Sequence, residues 1–128
     1  MKRIIIFLGI ISMFFYAEAQ TPKEQNGAKI EFKTTFHDFG NILKGNNAKC
    51  EFTFTNTGTE PLILSDVKPS CDCTVPAWPK QPILPGGKGT ISVVYEADET
   101  GGMSKSIKVI SNAVTPMVDI RIAGNVVD

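Results

Sequence analysis

The sequence predicts an all-β protein, one antiparallel β-sandwich of about seven short strands behind an export leader. Apolar and polar residues alternate with a period of two along most of the chain, and clusters of Gly, Pro, Asn and Asp separate the alternating runs. No window offers three helical turns with an apolar stripe.

The first element is the leader, residues 1–19. Lys2 and Arg3 give a positive start, Ile4 to Tyr16 is an almost unbroken apolar run, and Ala17-Glu18-Ala19 places small residues where a signal peptidase reads them. The run is short for a bilayer span, so a cleaved leader is expected over its rival, a retained anchor. The expectation is therefore an exported protein, periplasmic or extracellular, with no membrane span after cleavage. No cysteine follows the cleavage site, which argues against a lipid anchor. Removing Lys2, Arg3 and Glu18 leaves 11 basic and 12 acidic side chains, a net charge near −1. Near-neutral charge without a basic run argues against nucleic acid or anionic lipid as the main partner.

Residues 20–29 are polar, with Pro22 and Gly27, and read as a flexible tether; residues 30–128 form the domain. Ile30, Phe32 and Phe36 open the alternation. Cys50, Phe52 and Phe54 follow, then Ile91, Val93 and Tyr95. Ile107 and Val109 are set against Lys105 and Lys108; Val118, Ile120, Ile122 and Val126 stand opposite Asp119, Arg121 and Asn125. Such runs are half-buried antiparallel strands, one face to the core and one to water. Asn56 to Pro61, Pro85-Gly86-Gly87 and Thr100-Gly101-Gly102 carry turn chemistry, and Ser111 to Pro116 is a further break.

Lys68 to Gly87 does not fit a hairpin. It holds five of the eight prolines, Cys71, Cys73 and Trp78, with Val75, Ile83 and Leu84 as apolar anchors. Stretches this long are seldom structureless in a compact domain, so a crossover between sheets is expected, with a short strand near Cys73 to Val75.

From about Phe36 to Val127 the chain resembles the bacterial domain-of-unknown-function family 1573. The resemblance lies in His37-Asp38-Phe39-Gly40, Phe52 to Gly58, Pro61-Leu62, Ser70-Cys71-Asp72-Cys73-Thr74, Pro82 to Gly89, Ser111-Asn112-Ala113 and Gly124-Asn125-Val126. It implies an immunoglobulin-like sandwich, similar to major-sperm-protein and Hydin-type domains, and no established activity. Asp72 stands where the family usually has Gly, and Cys50 lies outside the family pattern.

Three cysteines leave at least one unpaired within a monomer. On a straight strand, residues two apart lie about 7 Å apart at Cα, so a Cys71–Cys73 bridge needs a turn. A bridge from Cys50 to either would close a loop of about 20 residues, worth about 3 kcal/mol. Cys50 shares the face of Phe52 and Phe54, however, and reads as core. For Cys71 and Cys73 three readings stand: a disulfide that fixes the crossover, a Cu(I)-type soft-metal site with His37 or Met103 as further ligands, or a thiol-redox pair. The Cys-x-x-Cys redox signature is absent.

His37 is the only histidine, and Asp38, pointing to the opposite face of a strand, is misplaced to orient it. His37 to Gly40 is expected to be a structural turn. Ser65, Ser70 and Ser111 lack a base, Glu96, Asp98 and Glu99 read as a solvated hairpin tip, and Trp78 as an edge plug. Neither a catalytic set nor a cofactor motif is present, so a non-enzymatic function is expected. The two remaining classes are an interaction or structural module binding another cell-envelope protein, and a metal-binding or redox accessory protein using Cys71 and Cys73. Oligomeric state is not legible.

Overall fold

A computed structural model describes residues 26–128; the leader and its cleavage site lie outside them. Eight strands form two four-stranded sheets packed face to face: β1 (Ile30–Phe32), β2 (Phe36–Leu43), β3 (Asn47–Asn56), β4 (Leu64–Pro69), β5 (Thr74–Ala77), β6 (Lys88–Glu96), β7 (Gly101–Ser111) and β8 (Met117–Val127). One sheet runs β1-β3-β6-β5 and the other β2-β8-β7-β4.

The period-two pattern becomes the core. Phe52 and Phe54 on β3, Ile91 and Val93 on β6, Ile107 on β7, and Ile120 and Ile122 on β8 are each 0% exposed. They come from the inner faces of both sheets, as alternation on antiparallel strands requires. Cys50 joins them, buried and free.

Four details differ from the sequence expectations. Ile30, Phe32 and Phe36 do not share a strand: the chain leaves the first sheet after Phe32, enters the second at Phe36, and leaves Phe36 exposed. The sandwich is not wholly antiparallel, since β2 runs parallel to β8, pairing Phe36 with Arg121 and Leu43 with Val127. Lys105 is not opposite Ile107 but two residues along the same strand, hence on the same face and half-buried. The expected tether does not extend to residue 29. Ala28 is buried, and Gly27 and Lys29 are tied by backbone bonds to Thr59 and Thr57.

The crossover and its short strand are as expected, with β4 ending one sheet, β5 edging the other and Ser70 to Cys73 joining them. Of its apolar anchors, however, only Ile83 and Trp78 pack against the core; Val75 and Leu84 are exposed because they lie on the outer side of the edge. The later half of the crossover is anchored by Leu62 and Ile83, which exchange backbone hydrogen bonds of 2.8 Å in both directions.

That anchoring centres on Asn56. Its Nδ2 donates to the carbonyls of Glu60 at 2.7 Å and Ile83 at 2.9 Å. Its Oδ1 accepts from Gly58 N–H at 3.0 Å and Lys29 N–H at 3.3 Å. This fully buried amide is saturated, as burial demands. Sequence alone reads Asn56 as the start of a turn.

Candidate functional site

Cys71 and Cys73 sit on the turn where the chain passes from β4 to β5. Thr74 N–H donates back to the Cys71 carbonyl at 3.3 Å, and this closure brings the two Cα atoms to 5.3 Å, within the span a disulfide bridges. The two sulfurs are in bonding contact. Positive φ occurs only at glycines among the described residues, so Asp72 makes the turn without a left-handed backbone. A glycine is not needed there.

The sulfurs differ in surroundings. The N–H of Cys73 donates to Cys71 Sγ at 3.1 Å. The hydroxyl of Thr74, a residue 2% exposed, lies 4.0 Å from Cys71 Sγ and 3.9 Å from Cys73 Sγ. Cys73 also lines a depression of about 210 Å³ with Tyr95, Glu96, Asp98, Glu99 and Lys105. The acidic run read as a hairpin tip thus forms one wall of the space beside Cys73. Burial raises the Tyr95 phenol above its ordinary range, and Glu99 and Asp98 add to the shift.

The other candidates do not converge on this turn. His37 is on β2, at the far edge of the sheet from β4. Three strand spacings separate the two, about 14 Å. Its ring packs edge-on against Phe39, with centroids 4.7 Å apart. Met103 lies beside Gly124 on β8 and lines a different depression, with Asp38 and Asn41. Among the described residues, no three His, Cys, Asp or Glu side chains gather as a metal site.

His37 to Gly40 is a bulged strand rather than a turn. The β2–β8 register shifts between Asp38 and Asn41, Gly40 takes φ of 68°, and Asp38 Oδ1 accepts the Gly40 N–H at 2.8 Å. The serines serve the backbone: Ser65 Oγ donates to the Ile110 carbonyl, Ser70 Oγ accepts from Ser106 N–H, and Ser111 Oγ accepts from Ala113 N–H. Trp78 packs against the core from the β5 edge, and Lys80 Nζ lies 3.0 Å from its ring centroid. That ammonium occupies a ring face a stacked sugar would need.

A family model described as "Protein of unknown function (DUF1573)" matches residues 30–126. The chain belongs to this family. In DUF1573 terms, Ser70 to Thr74 is the sheet-switching turn, and Phe52 to Gly58 carries the core aromatics and Asn56. No curated protein matches the sequence. Among solved structures, a protein of unknown function from Porphyromonas gingivalis W83 superposes with a TM-score of 0.70 at 21% identity, over 78% of this chain and 47% of that one. This DUF1573 chain thus spans about half the length of that relative. PapD-like domain 7 of human CEP192 gives 0.64 at 12% identity, covering 78% and 86%. The YadV chaperone gives 0.58 at 14%, covering 78% and 53%. At such identities the likeness establishes the immunoglobulin-like, PapD-like fold alone.

Proposed function

We propose that this DUF1573 protein is an exported, non-catalytic module of the cell envelope that engages another envelope protein through a sheet edge. The supporting observation is the state of the four edges. β1 is three residues long, β5 contains Pro76 and β4 ends in Pro69, each a feature that blunts strand addition. β2 is eight residues long, is paired on one side only, and displays Phe36 and Leu43 at 50% and 56% exposure. An added strand pairs with such backbone and seats its side chains against such flanks. The bulge at Gly40 divides the edge, and the turn after Leu43 spends its N–H groups on Val127, Ala97 and Leu43, so the offered stretch is Asn41 to Leu43. A chaperone with this fold supports the reading, since chaperones act by contacting other proteins. Export rests on the leader sequence.

Within the module, the Cys71–Cys73 pair is proposed to be a disulfide that locks the β4–β5 switch. The metal reading gains nothing from the placement of His37 at the opposite edge. The test is a photo-crosslinking residue at Leu43, with Val75 on β5 as control, in the native host. A discrete crosslinked envelope protein from Leu43 and not from Val75 is expected. Equal labelling from both positions, or none, would refute edge docking at β2.

A further inference from the structure

We propose that the Cys71–Cys73 bond is exchangeable and takes cationic thiols as substrates, Cys73 being the sulfur attacked and Cys71 the thiolate released. The inference rests on the reading of the pair as a disulfide and adds an activity to it.

Three observations assign the roles. Cys73, and not Cys71, lines the depression beside Tyr95 and Lys105, so a thiol held there is placed beside Cys73. Cys71 Sγ accepts the Cys73 N–H at 3.1 Å, whereas the Thr74 hydroxyl, 4.0 Å from Cys71 Sγ and 3.9 Å from Cys73 Sγ, favours neither sulfur. Donors aimed at a sulfur stabilise its thiolate, and a better-stabilised thiolate leaves faster. The depression carries three carboxylates, Glu96, Asp98 and Glu99, against one ammonium, Lys105. That balance concentrates positive thiols and repels negative ones.

The chemistry closes on a dithiol partner of basic character. One partner thiolate attacks Cys73 Sγ, the S–S bond breaks, and its electron pair leaves on Cys71 Sγ. The partner's second thiolate then attacks the partner sulfur of the mixed disulfide and expels the Cys73 thiolate. The partner is oxidised by two electrons to a disulfide, and Cys71 and Cys73 take up two electrons and, on protonation, two protons.

The test uses protein exported by a native host and purified without reductant. Its intact mass and alkylation pattern are recorded first; free thiols at both positions, or a bond to Cys50, would overturn the disulfide reading itself. The oxidised protein is then treated with cysteamine or with 2-mercaptoethanesulfonate at equal thiolate concentration, quenched with excess alkylating agent and peptide-mapped. The adduct is expected on Cys73 and the alkyl group on Cys71. Relative to an E96Q/D98N/E99Q variant, altered only at exposed positions, the cysteamine-to-sulfonate rate ratio should be about four-fold higher at low salt and converge on it at high salt. An adduct on Cys71, no reaction in the native state, or an equal ratio in the variant would overturn the exchange proposal while leaving the disulfide standing.

Discussion

Asn56 Nδ2 donates to the carbonyl of Ile83 at 2.9 Å, joining the end of β3 to the crossover chain 27 residues later. The same side chain holds Glu60, Gly58 and Lys29, so one buried amide gathers three separate segments. Asn56→Ala leaves buried carbonyls and N–H groups without partners and should cost about 2–4 kcal/mol. Urea unfolding measures it; a loss under about 0.5 kcal/mol would mean that water takes over the role unaided.

The ring of Phe54 fills the space above Gly89, where an added Cβ would lie 2.9 Å from Phe54 Cε2. Phe54→Ala should cost about 3–5 kcal/mol through lost burial and the cavity left behind. Gly89→Ala should cost about 1–3 kcal/mol through overpacking against an immobile ring. The second cost should shrink in a Phe54→Leu background, because the clash has one author. Additive losses in the double variant would show that Gly89 is needed for another reason.

Cys50 is the titrating thiol of the core. Burial, with a smaller contribution from Glu51, raises its pKa from 9.0 to about 11. A raised folded-state value means that the stabilisation is fully present below about pH 9 and is lost as pH rises through about 11. The loss expected across that window is about 2–3 kcal/mol. Cys50→Ala should flatten that part of the stability profile, leaving the alkaline contribution of Tyr95. A wild-type slope retained in the variant would assign the alkaline loss elsewhere.

Protein exported by its host should begin at Gln20, with Cys71 and Cys73 protected from alkylation and Cys50 labelled only after unfolding. Mass spectrometry reports all of these together. An intact Met1 on the exported form would restore the anchored alternative. Because the ring closed by Cys71 and Cys73 is tiny, reducing it should destabilise the fold by less than Phe54→Ala does.

What was legible in the sequence is what a strand carries by itself. A period of two sorts side chains into two faces without reference to any neighbour, so Phe52, Phe54, Ile120 and Ile122 could be placed in one core from spacing alone. Turn residues are equally local, and the proline-rich crossover announced itself by length and composition. The family motifs added the immunoglobulin-like fold.

Tertiary structure decided whatever depends on which strands meet. The alternation of Ile30, Phe32 and Phe36 is the same whether they form one strand or two; only packing showed that Lys33 to Thr35 carries the chain between sheets. The parallel pairing of β2 with β8 joins segments from opposite ends of the domain, and neither strand's pattern distinguishes a parallel neighbour from an antiparallel one. Asn56 looked like a turn residue because its partners, Lys29 and Ile83, are each 27 positions away. The surroundings of Cys73 follow the same logic: Tyr95 and Lys105 reach it from β6 and β7. The sequence by itself determined which faces are apolar and where the chain turns, because those follow from each residue and its neighbours. The pairing of strands, and with it the chemistry around each cysteine, is set by the joint packing of both sheets, which no single segment encodes.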